Sequence, residues 1–314
     1  MSRSASTPEA NGDAGCTPGD GGSDSPPGRP PEGAERAARE RIEELAQVAE
    51  AQGFYGAWML FKKEMKRFWN IAGQTVVSPV VTTMLYFLVF GYSLGDRLEE
   101  IQGVPYVDFL VPGLVMLALI NNAFINSAFS FFINKIHGTL VDILVTPLTH
   151  AQLMFGYTAA SIVRAVMIGA IIWAIAVAMG AEQVIAMLGG AEGVVNLGIT
   201  LSFMVLTALA FAFLGLDIAI VAEDFDHINL LPNFLITPLA FLGGVFYSIE
   251  MLPAPWDLVS KFNPILYMVN GLRYGMTGVS DVPLSHGYAV VISLNLLFGT
   301  IAWWLLSTGK KIRE

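Results

Sequence analysis

Hydrophobic and polar positions are sharply segregated along this chain. Five stretches, 68–95, 109–134, 193–216, 228–249 and 282–309, contain no Lys, Arg, Asp or Glu, and a sixth, 150–181, carries one charge, Arg164. Each exceeds the ~20 residues that cross about 30 Å of hydrocarbon as an α-helix. Barrel strands would instead alternate over about 10 residues. The pattern therefore predicts an all-α integral membrane protein with six spans, near 71–94, 108–133, 151–179, 193–217, 228–248 and 286–307.

The segments between and before these runs have their own patterns. In residues 54–70 the large apolar residues Phe54, Trp58, Phe61, Met65 and Phe68 recur at helical spacing, and Lys62, Lys63, Lys66 and Arg67 fill much of the remainder. This pattern predicts an amphipathic helix in the headgroup plane. It serves either as a passive anchor or as a helix that also receives force from a cytoplasmic partner. Residues 134–150 start polar, turn semi-apolar and break at Thr146-Pro147. They read as a short cytoplasmic helix or a simple loop. Residues 249–282 leave the membrane, turn at Pro253 and Pro255, and resume in an apolar segment too short to span. They predict a pair of short helices re-entering from the outer side, or an outer-face helix lying on the bilayer.

Composition supports the membrane reading and adds a tail. Of 314 residues, 14% are charged and 54% apolar, against about 25% charged in soluble domains. Residues 1–34 hold 7 Gly and 6 Pro and no aromatic residue. Such a segment buries too little apolar area to offset its ordering entropy, so disorder is expected. Residues 35–52 predict a short polar helix, and 1–53 form an accessory tail ahead of the membrane domain at 54–314. The net charge is −9, of which the tail through Gly53 supplies −5. That balance argues against a general nucleic-acid binder, which would show a basic face. The single cysteine, Cys16, excludes an intramolecular disulfide.

Lys and Arg set the orientation. Eight of the 12 basic residues of the membrane domain lie in three places: Lys62–Arg67, Lys135, and the group Lys310, Lys311 and Arg313. With six spans all three fall on one side, expected to be the cytoplasm, with both termini there.

Few residues suggest chemistry. Arg164 within a span costs at least ~2.5–3.5 kcal/mol, so it should face protein or water. It either lines a path, pairing with an acid such as Asp217, or acts as a structural tie. Gly91–Gly95 matches G-x-S-x-G but caps a membrane helix, where no strand-to-helix elbow forms. Asp224 and Asp226 could hold a cation, although an acidic helix start explains them more simply. The four histidines lack HExxH spacing, and no G-x-x-x-x-G-K-[ST] occurs. No catalytic residue, metal site or nucleotide site of the chain's own is expected.

The segment 222–274, AEDFDHINLLPNFLITPLAFLGGVFYSIEMLPAPWDLVSKFNPILYMVNGLRY, resembles the signature region of ABC-2 type exporter membrane subunits. The likeness lies in the acidic/Phe turn, P-x-F-x-x-x-P, F-L-x-G-V-F-Y-S, the Leu-Pro-x-x-W segment, N-P-x-x-Y and G-x-R-Y. Residues 142–150 (DILVTPLTH) resemble the family's loop after helix 2, and 109–113 (FLVPG) the start of that helix. The match covers about 54–314 and is strongest to bacterial permeases grouped with nodulation-factor, drug and polysaccharide exporters.

The resemblance implies a homodimer in the bacterial inner membrane, served by two copies of a separate P-loop ATPase that binds ATP and Mg. It places Lys62, Lys66 and Arg67 on an interface helix, Lys135, His137 and Asp142 on a coupling helix, and Glu223, Asp224 and Asp226 on a second cytoplasmic loop. Asn263, Pro264, Tyr267, Arg273 and Tyr274 fall on a re-entrant gate. His227 follows the acidic turn where relatives often carry another Asp. A lipidic, drug-like or glycan substrate fits an apolar lateral path. The competing reading is an ion-coupled secondary transporter, which needs intramembrane acids; Asp217 is the one candidate.

Overall fold

In the computed structural model the described residues are 33, 41, 55–95, 100–139, 148–181 and 193–308. The chain divides into two units, Met1–Leu45 and Ala46–Glu314, and the second contains the helices described below. The expected tail helix at 35–52 apart from residue 41, Asp142 and most of the proposed coupling segment, and the basic C-terminus at 310–313 lie outside the described residues.

Among the described residues, five helices are long and apolar enough to cross a membrane: α1 (Tyr55–Gly95), α2 (Tyr106–Ile136), α3 (His150–Ala178), α4 (Gly193–Val221) and α9 (Leu284–Thr308). The fifth expected span is built differently. It runs through α5 (Phe225–Leu231), a π-helical turn Pro232–Ile236 and α6 (Thr237–Leu242), then turns at Gly243 and Gly244. Pro232 and Pro238 lie in this run. Proline lacks an N–H and clashes with the preceding turn, so a wider π turn absorbs it. A 3-10 turn (Ile249–Met251), α7 (Trp256–Lys261) and α8 (Pro264–Thr277) come next.

α1 is a single helix of 41 residues. At 1.5 Å per residue it is about 60 Å long, twice the hydrocarbon thickness. The sequence pattern divides it near residue 70, into an interface helix and a span. The structure carries the backbone through without a break, because nothing between Trp69 and Thr75 stops a helix. A tight two-residue hairpin links α1 to α2: β1 (Glu100–Ile101) pairs antiparallel with β2 (Val104–Pro105). Gln102 and Gly103 both take positive φ there, 55° and 77°, as type I′ hairpins require.

α2 is the central helix. It packs on α1, α3, α4 and α8, and most of its side chains are buried. Small residues set the closest approaches. A Cβ on Gly215 of α4 would lie 2.4 Å from the Phe124 carbonyl of α2, and one on Gly156 of α3 would lie 2.5 Å from Leu60 Cδ2 of α1. α1 and α3 run side by side: Gly56 meets Leu148, Leu60 meets Gly156, and Phe68 meets the Arg164 guanidinium at 4.8 Å. α8 approaches α4 through Gly271 and Gly275, whose Cβ positions are filled by Phe203 and Thr200. The Gly-x-x-x-Gly spacing suits such close packing. α9 is tied to α4 by Asn295 Nδ2 donating to the Leu206 carbonyl at 3.0 Å and by Ser202 and Tyr288 hydroxyls 2.6 Å apart. The outward faces of α1, α4 and α9 expose residues such as Val77, Leu85, Val194, Leu201, Leu296 and Trp304. Those faces suit lipid or a second subunit.

Candidate coupling and gating sites

Two polar clusters sit at opposite ends of α2. The first surrounds its C-terminal end, which leads into residues 137–149. Glu64 of α1 is buried at 4% exposure. Its Oε2 accepts a hydrogen bond from Ser130 Oγ of α2 and an ion pair from Arg67 Nη2 at 2.9 Å. One turn on, Asn134 Nδ2 donates to the Ser130 carbonyl at 2.8 Å and to the Tyr157 hydroxyl of α3 at 3.2 Å. Lys63 Nζ reaches Asn134 Oδ1 at 3.4 Å. Lys135 then crosses to α4: its Nζ donates to the carbonyls of Ile220 at 2.8 Å and Ala222 at 2.9 Å. A cation there complements the partial negative charge of a helix C-terminus. Phe225, at the start of α5, stacks on Phe129 and lies edge-on to Phe132. The end of α2 thus holds α1, α3, α4 and α5 together.

The expected coupling residues distribute around this hub. Lys62, Lys66, His137, Glu223, Asp224 and Asp226 are exposed; Arg67 and Lys135 are half-buried and engaged in the bonds above. Asp224 takes the N-cap position of α5 without a side-chain cap bond, and Asp226 lies in its first turn. Among the described residues no cluster of three His, Cys, Asp or Glu side chains converges. Glu64 does not stand out in the sequence, because it lies among four basic neighbours and reads as part of a solvated charge run. Its offset from Leu60, four residues on the same face, is the signal that could have found it.

The second cluster lies at the N-terminal end of α2 and centres on Arg273 of α8, which is fully buried. Its Nη2 donates to the Gly244 carbonyl at 2.6 Å, and its Nη1 stands 3.5 Å from Asn270 Oδ1 and 3.7 Å from Asp281 Oδ2. Its guanidinium lies 3.8 Å over the Phe109 ring of α2. Asp281 in turn accepts from Gln102 Nε2 of the hairpin at 2.7 Å and from Ser248 Oγ, while its own N–H donates to Asn270 Oδ1 at 2.9 Å. Four segments distant in sequence close on one cation. Asn263 caps α8 by accepting from the Ile265 N–H at 3.0 Å, with its Nδ2 on the Leu239 carbonyl of α6. Pro264 occupies the first turn of α8. The Tyr267 hydroxyl donates to the Lys261 carbonyl at 2.9 Å, and Tyr274 is exposed.

Arg164 and Asp217 are not brought together. The ion pairs among the described residues are Arg67–Glu64, Lys261–Asp257 and Arg273–Asp281. Arg164 rests its guanidinium on Phe68 instead, on the far side of α3, and both carboxylate oxygens of the buried Asp217 lack a hydrogen-bond partner. The expected pairing fails because Arg164 faces α1, not α4.

Comparison with known proteins fits this architecture. The profile of the family described as ABC-2 type transporter matches residues 55–277. The chain is 39% identical over 255 residues to the inner membrane transport permease YadH of Escherichia coli K12, covering 81% of this chain and 96% of that one. It is 27% identical over 206 residues to nodulation protein J of Rhizobium leguminosarum bv. trifolii, covering 65% and 74% respectively.

Proposed function

The chain belongs to the ABC-2 type transporter family, and from that premise we propose that it is the multi-pass inner-membrane subunit of an exporter driven by a separate ATPase chain. The observation that carries the reading is the hub at the C-terminal end of α2. The helix ends that lead into 137–149 and 222–224 are bonded to one another through Lys135, so a push on either loop reaches the helices between.

Six crossings serve this function. The five long helices account for five. The run from Phe225 to Leu242 is 18 residues, about 27 Å at 1.5 Å per residue, enough for the sixth. Both termini then lie in the cytoplasm, where the Lys and Arg bias puts them. Residues 54–70 form the interface region of the membrane domain at 54–314, and 1–53 the accessory tail. Lys62, Lys66, Arg67, Lys135, His137, Asp142, Glu223, Asp224 and Asp226 face the ATPase. α7 and α8, with the Arg273 cluster beneath them, close the outer side. The working unit is a homodimer with two ATPase copies, and it moves a lipidic, drug-like or glycan substrate outward. ATP and Mg are held on the ATPase.

The test is reconstitution. The full chain co-expressed with its neighbouring ATPase should retain that subunit through purification, and Asp142→Lys should abolish ATP-dependent transport in vesicles. A chain that never retains an ATPase, with transport dependent on an ion gradient, would establish the secondary-transporter reading that the partnerless Asp217 favours.

A further inference from the structure

Five of the six residues from Lys62 to Arg67 are charged, and the acid among them is the one that is buried. A buried carboxylate is costly unless paired, and an apolar residue of similar volume is often as good or better for stability. Leu or Met at position 64 would fill the space between α1 and α2. What Glu64 adds is direction. The bond from Ser130 Oγ fixes the height of α1 against α2, and Arg67 neutralises the charge from α1 itself. The adjoining turn of α2 bonds α3 through Asn134 and Tyr157, and the next residue, Lys135, bonds α4. One oxygen remains in hand: Glu64 Oε1 is buried without a hydrogen-bond partner, and Arg67 engages Oε2 alone. Arginine–carboxylate pairs are commonly bidentate, so a second arrangement, with Arg67 on both oxygens, is within reach of a small shift.

We propose that Glu64 is a positioning residue for energy coupling: it holds the charged N-terminal part of α1 and the C-terminal end of α2 as one body, so that displacement imposed by the ATPase on either is delivered to both. The proposal rests on the transporter-subunit reading above. It gives a buried acid, rather than the exposed lysines around it, the controlling role in this region.

The experiment uses the full chain in complex with its ATPase, in a Cys16→Ser background. Spin labels are placed at the exposed Met59→Cys on α1 and Ile136→Cys on α2. Their separation is measured by pulsed EPR without nucleotide and with vanadate-trapped ATP, alongside the ATPase rate of the complex relative to the isolated ATPase. With Glu64 present, the separation should stay the same in both states. Glu64→Ala should make it broaden or shift on trapping and lower the stimulation about tenfold, within the range typical of coupling between sites, while the ATPase is still retained. Glu64→Gln keeps an acceptor for Ser130 and should preserve the separation with a smaller loss. Ser130→Ala should resemble Glu64→Ala in direction, and it carries the test if Glu64→Ala does not fold.

The proposal is overturned if Glu64→Ala or Ser130→Ala leaves the separation unchanged on trapping, whatever happens to the rate. If unsubstituted chain retains no ATPase, the transporter-subunit reading fails first and takes the proposal with it. If the ATPase is retained and stimulated equally in every variant, only the role of Glu64 falls.

Discussion

Two glycines of α4 give a matched pair. Gly215 sits where α4 crosses α2: a Cβ there would lie 2.4 Å from the Phe124 carbonyl oxygen and 3.2 Å from the Ala128 nitrogen. Gly198, on the same helix, has nothing within 4 Å. Replacing either with Ala gains about 1 kcal/mol of helix propensity. At Gly215 that gain is opposed by overpacking, typically about 1–3 kcal/mol. The upper part of that range applies, because the obstructing atoms are backbone and the two helices must separate by about an ångström. Gly198→Ala should therefore be neutral or stabilising by up to ~1 kcal/mol, and Gly215→Ala destabilising by ~1–2 kcal/mol. At roughly 2–4 °C per kcal/mol, the two variants should differ by about 2–12 °C in apparent melting temperature. The assay is thermal unfolding of detergent-purified protein at one scan rate. Equal shifts, or Gly215→Ala melting at or above the unsubstituted protein, would refute the idea that this crossing is set by backbone contact.

Other substitutions test the two clusters and the boundaries. Arg273→Ala strands the Asp281 carboxylate and should cost about 3–5 kcal/mol, read as loss of folded yield; Arg273→Ala combined with Asp281→Ala should recover part of it. Lys135→Met removes the donor to two carbonyls at the end of α4 and should lower the melting temperature by an amount equivalent to about 1–3 kcal/mol, with Lys135→Arg restoring it. Thr149 and Gln152 form a capping box at the start of α3, so Thr149→Ala should cost about 1 kcal/mol in the same assay. Deleting residues 2–52 should leave membrane insertion and folded yield unchanged, as measured by fluorescence gel filtration of a fusion.

Much of this fold is written in the length of its apolar runs. A stretch with at most one charge over more than 20 residues has few ways to exist in water, so α2, α3, α4, α9 and the second half of α1 could be read directly. The run at 228–248 is similarly apolar but carries two prolines six residues apart, Pro232 and Pro238, where α1 and α2 each accommodate one, Pro79 and Pro112, within an unbroken helix. Hydropathy ignores backbone donors, and so it hides the π turn that the prolines impose. The exposure of Lys62, Lys66, Glu223, Asp224 and Asp226 was legible from their charge. Glu64 was not, because burial of one acid in a charged run depends on where Ser130 arrives from α2, some 66 residues away. The same holds for Arg273. Its spacing within G-x-R-Y suggests importance, but its partners Phe109, Gly244 and Asp281 come from three other segments. Arg164 shows the opposite failure: a tempting pairing with Asp217 rested on charge alone, with no knowledge of which face of α3 meets α1.

The closure of the Arg273 cluster also has a consequence for how the protein is made. Phe109, Gly244 and Asn270 precede the arginine in the chain, but Asp281 comes eight residues after it, with α9 immediately beyond. A ribosome delivers the cation before its counter-ion. A lone arginine is poorly tolerated away from water, so the buried Arg273 has its carboxylate partner only once Asp281 is in place. The order of the residues thereby makes the cluster one of the last parts of the fold to be completed, and a chain ending before 281 leaves the Arg273 guanidinium without its carboxylate partner.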